Sequence, residues 1–228
     1  MSSPVTAAVK AGPLLPAGEP LIVGIVNITE DSFSDGGRYL RSAAAVAHAR
    51  RLRADGADVI ELGPAASHPG SAPVTAAQER RRLGPVLEHL ASDGIPVSVD
   101  SFRAETQRFA VWGGAAYLND IHGFSDPGMY PVLAASQCRL IVMHAVQETG
   151  PATMAATDPV AVWADTCRFF AQRLAALQAA GIGRDRLVID PGLGYFLGST
   201  PGPSLAGPGE DPRAERHLRP ARPGVTIP

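Results

Sequence analysis

Cysteine is scarce in this chain: Cys138 and Cys167 are the only two in 228 residues, far apart and without the spacing of a metal site. A disulfide framework is therefore not expected, and a reducing, cytoplasmic setting is. Long apolar runs are missing too. None approaches the ~18 residues that a membrane span needs. The first residues, MSSPVTAAVKAGPLLPAGEP, lack the charged-then-apolar order of a secretory signal, so no membrane partner is expected. Charge of either sign is not in excess: the net charge is -2 and the pI near 6.3, which removes the electrostatic basis for nucleic acid as a partner. Arginines gather at Arg50, Arg51 and Arg53 and again at Arg80, Arg81 and Arg82, but both groups lie in helical patterns and read as solvated faces. What is present is apolar residue content, 45%, enough to bury a substantial core in one large domain or two small ones.

Short apolar runs alternate with longer amphipathic stretches. The runs are LIVGIV (21–26), DVIEL (58–62), PVSVD (96–100), AYLN (116–119), RLIVMH (139–144) and RLVID (186–190). Each has the length of a strand and is rich in Val, Ile or Leu, as parallel strands buried on both faces require. Helical patterns span 42–54, 75–91, 104–112 and 158–180, the last opening on Asp158-Pro159, an N-cap followed by a first-turn proline. A βα rhythm of this kind needs crossovers of one hand. Two architectures satisfy it, an open doubly wound sheet or a (β/α)8 barrel reaching about six units. Polar residues close nearly every strand: Asn27, Asp100, Asn119, His144 and Asp190. Barrel enzymes gather their chemistry at strand C-termini all around the ring, whereas an open sheet concentrates it at one switch point. The wide distribution favours the barrel.

In a barrel, Asp100, Asn119 and Asp190 would converge on one cavity. A carboxylate accepts two parallel N–H bonds, which suits the guanidine-like edge of a pterin or guanine ring, and an Asn both donates to and accepts from the same ring. Helix capping is the competing role of each residue taken singly. Met143 is core packing or the floor under a flat aromatic ligand. Asn27 opens a loop, NITEDSFSDGG, and offers a carbonyl oxygen to a hard cation or an N–H to a phosphate.

GIVNITEDSFSDGG, VSVDSF, YLNDIHGF, IVMH and DPGLGY together resemble the dihydropteroate synthase family over about residues 20–200. The resemblance implies a (β/α)8 TIM barrel of the pterin-binding type. It implies condensation of 6-hydroxymethyl-7,8-dihydropterin diphosphate with 4-aminobenzoate, assisted by Mg2+, to give dihydropteroate and pyrophosphate. By motif, Asn27 would bind the metal–diphosphate unit. Asp100, Asn119 and Asp190 would grip the pterin, with Met143 against it. Phe33 belongs to a loop that would close over the site, and Tyr195 would stand beside the aminobenzoate. A pterin-binding methyltransferase barrel is the related alternative. Family members pair as homodimers, an arrangement not expected of this chain by itself.

Two departures carry consequences. The loop GPAASHPGSAPV (63–74) places Ser67 and His68 where the family commonly has Thr and Arg. In this it resembles the mobile, sulfonamide-insensitive members, and altered drug discrimination is expected; only ~1–3 kcal/mol of differential contact is needed. The second departure is the tail. Residues 1–19 read as a flexible extension, 20–200 as an incomplete pterin-binding barrel, and 201–228 as a Pro/Arg/Gly-rich segment without pattern. The family carries a Lys on its seventh strand and an Arg-x-His on its eighth, and the tail has no counterpart of either. Suitable codons for 207 onward, read one base forward, spell VLARIPELKDIFGLPVLVS, a helix and then a strand; a proline-rich linker is the alternative origin. On either origin, unpaired sheet edges predict a chain of low stability, and the missing cations predict low activity.

Overall fold

A computed structural model describes residues 20–29, 38–65, 73–145 and 159–192. The six apolar runs form six strands, each within a few residues of its expected bounds: β1 Val23–Asn27, β2 Val59–Gly63, β3 Val97–Asp100, β4 Tyr117–Asp120, β5 Arg139–Met143 and β6 Leu187–Asp190. All neighbours are parallel, and the order across the sheet is β1-β2-β3-β4-β5-β6. A doubly wound sheet must reverse its strand order somewhere. Consecutive order throughout is the winding of a barrel wall, here an arc of six strands joined by five crossovers.

The helices are α1 Arg38–Ala54, α2 Ala76–Ser92, α3 Ala104–Trp112, α4 Tyr130–Ala135 and α5 Pro159–Ala179. α5 opens on Pro159, whose missing N–H costs nothing in a first turn. α2 begins with a capping box: the Thr75 hydroxyl accepts from the Gln78 N–H at 3.2 Å, and the Gln78 side chain accepts from the Thr75 N–H at 2.8 Å. α4 was not legible in the sequence. It has six residues, too few to show a period, and follows a 3-10 turn, Pro127–Met129, whose proline and glycine read as loop.

One core lies between the sheet and the helices. Alternate strand residues Val26, Ile60, Leu62, Val97, Val99, Leu118, Leu140 and Val142 meet Ala45, Ala49, Leu83, Val86, Leu87, Leu90, Ala110, Leu133 and Leu177 from α1 to α5. Each Val, Ile or Leu among them contributes about 1.5–3 kcal/mol by leaving water. Residues of opposite parity point to the other face, the interior of the arc. There Val59, Tyr117 and Ile141 form a small apolar cluster with Ala116, the residue just before β4, and Met143 packs with Phe102 and Ala145 around Ile121.

The turn after β4 uses unusual backbone. Gly123 and Phe124 both have positive φ, 61° and 62°. A Cβ on Gly123 would lie 2.7 Å from the Phe169 ring and 3.1 Å from the Met143 carbonyl oxygen, so β5 and α5 close over a position only glycine can fill. Phe124 is held in its costly conformation by near-complete burial. Arg173 of α5 reaches across to donate to the Phe124 carbonyl at 3.3 Å and the Tyr130 hydroxyl at 3.2 Å.

Candidate active site

Parallel pairing gives register partners the same facing. Asp100 pairs with Asn119, Asn119 with Ile141, and Met143 with Asp190. Asn119 also bonds to Glu61, whose own partner in register is Ser98. The strand-end residues Asp100, Asn119, Met143 and Asp190 therefore share the interior face, as the sequence leads one to expect. Asn27, the last residue of β1, lies in register with Gly63 at the end of β2. A Cβ on Gly63 would come within 2.9 Å of Asn27 Oδ1, so the glycine is what leaves room for that amide oxygen.

Residues that follow the interior ones point outward and brace them. Ser101 comes after Asp100, and its hydroxyl donates to Glu79 of α2 at 2.7 Å. Glu79 also pairs with Arg103 at 3.3 Å. Asp120 comes after Asn119; it accepts from Gln107 of α3 at 2.7 Å and from the His122 N–H at 2.7 Å. Gln107 donates as well to the Ser101 carbonyl at 2.8 Å, and thereby clamps the ends of β3 and β4 to each other. Burial pushes the Asp120 carboxyl above the usual carboxylate range, against the pull of these hydrogen bonds.

His144 does not join the site. It follows the interior residue Met143 and so turns outward, buried beneath α5 against the rings of Phe169 and Phe170, with Nδ1 3.2 Å from the Thr166 hydroxyl. Burial lowers its pKa below the ordinary value. Its strand-end position suggested otherwise; the parity of the strand decides. Asp190 keeps a local duty too, because Oδ1 accepts from the Gly192 N–H at 2.8 Å in the turn after β6. Phe33, Ser67, His68 and Tyr195 lie outside the described residues, as do the loop of 31–35 and the tail of 201–228.

Glu61 is the residue that sequence reasoning missed. It sits mid-strand in β2 on the interior face. Its Oε1 accepts from Ser98 Oγ at 3.0 Å and from Asn119 Nδ2 at 3.1 Å. Burial is the main force raising its pKa, the two hydrogen bonds oppose it, and the negative charge of Asp190 adds to the rise. Glu61, Asn119 and Asp190 come from β2, β4 and β6, the alternate-strand pattern by which barrel interiors are layered. The signal was in DVIEL: an acid inside an apolar, strand-length run has to find partners where it is buried.

Carboxylates and an amide face inward at the C-terminal ends of β3, β4 and β6, where α/β-barrel enzymes gather their chemistry. Residues 23–207 match the family described as pterin binding enzyme. The dihydropteroate synthase type-2 of Escherichia coli is 54% identical over 186 residues, covering 82% of this chain and 68% of that protein. The type-3 enzyme of Escherichia coli is 48% identical over 184 residues, covering 81% and 70%. Among solved structures, Xanthomonas albilineans dihydropteroate synthase with 4-aminobenzoic acid has a TM-score of 0.70 at 38% identity, over 78% of this chain and 63% of that one. The Anaplasma phagocytophilum enzyme with bound 6-hydroxymethylpterin-monophosphate has a TM-score of 0.66 at 36% identity, over 77% and 68%. The chain belongs to the pterin-binding enzyme family, and within it to the dihydropteroate synthases. It spans about two thirds of the length of these relatives.

Proposed function

We propose that this chain acts in folate biosynthesis as a dihydropteroate synthase, joining 6-hydroxymethyl-7,8-dihydropterin diphosphate to 4-aminobenzoate. The observation that carries the reading is the shared interior facing of Asp100, Asn119 and Asp190, a set of hydrogen-bonding groups suited to the N–H-rich edge of a pterin. The relatives with bound pterin and 4-aminobenzoic acid support the same substrates.

The chemistry follows from charge. The C–O bond between the pterin methylene and diphosphate breaks, and its electron pair leaves with the diphosphate. The methylene becomes cation-like, and the half-buried carboxylates of Asp100 and Asp190 would stabilise that charge. The aminobenzoate nitrogen then forms the new C–N bond and gives up a proton. Mg2+ would neutralise charge on the leaving diphosphate. The described residues fit such an ion only modestly: they contain no group of three or more His, Cys, Asp or Glu that could hold a metal. Asn27, whose amide oxygen Gly63 leaves uncrowded, would supply one hard ligand, and diphosphate and water the rest.

Ser67 and His68 make reduced sulfonamide sensitivity part of the reading. The chain's two cysteines are free and no described helix is long and apolar enough to cross a membrane, in keeping with a cytoplasmic site of action. The decisive experiment measures dihydropteroate formation by the purified chain and by Asp190→Asn. Turnover that the substitution lowers by about a hundredfold or more supports the assignment. Absence of turnover together with absence of pterin binding overturns it for this chain.

A further inference from the structure

A primary amide on a cavity wall can present either its oxygen or its NH2 group, and the two presentations select opposite ligands. In β4 that choice is made by β2. Asn119 Nδ2 donates to Glu61 Oε1 at 3.1 Å, and Ser98 Oγ donates to the same oxygen at 3.0 Å. Turned over, Asn119 would set its own oxygen against an oxygen that is already an acceptor, and two acceptors repel. Oε1 accepts whether the carboxyl is ionised or carries its proton on Oε2, so the lock does not depend on ionisation. The consequence is visible at the other end of the amide: Asn119 Oδ1 is buried and has no hydrogen-bond partner among the described residues. A buried acceptor left unmet is costly, and the group that can meet it is an incoming N–H.

We propose that Glu61 is a positioning residue: it locks the Asn119 amide with its oxygen toward the cavity, so that the site selects a flat ring whose edge offers an N–H donor at that point. The inference rests on the pterin-binding reading above and gives it atomic content. Glu61 touches no reacting atom in this role; it acts through Asn119.

The test uses the full chain, 6-hydroxymethylpterin as the probe, and two readouts: affinity by calorimetry, and the Asn119 side-chain NH2 signals with their exchange rates by NMR. Glu61→Leu removes the acceptor at similar volume, and Asn119→Asp removes the donor. Each is expected to weaken binding about tenfold or more, the effect of one unmatched buried polar group. Glu61→Gln keeps an acceptor oxygen and is expected to bind within about threefold of the parent. The swap Glu61→Gln with Asn119→Asp reverses the direction of the bond yet leaves an acceptor facing the cavity. It is expected to recover most of the affinity that Asn119→Asp alone loses, a rescue that general loosening would not produce. Unchanged affinity and unchanged Asn119 amide signals in Glu61→Leu would overturn the proposal, as would a swap no better than Asn119→Asp. If Glu61→Leu fails to fold by circular dichroism, the swap decides. If the parent chain binds no pterin, the functional reading fails separately, and the amide signals decide this one: slow exchange in the parent and Glu61→Gln but fast in Glu61→Leu supports the lock, and equal exchange in all three sinks it.

Discussion

At the scale of the residue, what matters is which face a side chain occupies and how much room it has there. Met143 and His144 are adjacent, yet one lines the interior and the other is sealed under α5. Asn27 depends on a neighbour having no side chain at all. Gly63→Ala would place a Cβ 2.9 Å from Asn27 Oδ1, closer than real contacts allow, so the amide has to move. Overpacking of this kind costs about 1–3 kcal/mol. Because Asn27 is exposed at the strand end, the cost is expected to fall on its position and not on global stability. The expected outcome is a several-fold rise in KM for the pterin diphosphate with a nearly unchanged unfolding midpoint. Steady-state kinetics at varied Mg2+, beside a urea titration, checks both halves.

At the scale of the element, helices act as braces for strand ends. α3 is only nine residues long and lacks a side-chain N-cap, but it carries Gln107 to the point where β3 and β4 finish. Gln107→Ala would leave the Asp120 carboxylate short of one donor and the Ser101 carbonyl without its partner. A loss of about 1–3 kcal/mol in unfolding free energy is expected, together with weaker pterin binding, since Asp100 and Asn119 lie one residue away from the two clamped positions. α2 provides the contrasting case. Thr75→Ala removes half of a capping box whose bonds run only to Gln78, so about 1 kcal/mol of stability should go while pterin affinity stays. Urea unfolding and calorimetry on the two variants separate bracing from capping.

At the scale of the whole molecule, buried ionisable groups set how stability varies with pH. His144 has a folded pKa below its ordinary value, so the folded state prefers it neutral. Its contribution is complete above the ordinary histidine pKa and is lost as pH falls through that value toward the depressed one. Glu61 and Asp120 have folded pKa values raised by burial. Their contribution is complete below the ordinary carboxylate pKa and is lost as pH rises through the raised values. Relative to the parent, His144→Phe is therefore expected to gain stability on going from pH 7.5 to 5.5. Glu61→Gln is expected to gain on going from pH 4.5 to 8. Urea midpoints across that range read both slopes, and slopes of opposite sign would refute the burial argument.

Much of this is legible in the sequence. Six apolar runs fixed six strands, because a parallel strand covered on both sides must be nearly continuously hydrophobic, and that demand acts locally. The ends of those runs named Asn27, Asp100, Asn119 and Asp190, because strand C-termini are where a barrel gathers its polar groups. α4 was hidden, since six residues, the second of them a proline, carry no readable period. The spread of strand-end polar residues already favoured the barrel over the open sheet, and the consecutive strand order bears it out. Two things were decided by tertiary structure alone. Strand parity sent Met143 inward and His144 outward, a distinction that hangs on register with neighbours far away in sequence. The bond between Glu61 and Asn119, 58 residues apart, fixed which end of an amide meets β2. A sequence states what groups a strand carries; the direction in which an amide points is set by what stands across the interior from it.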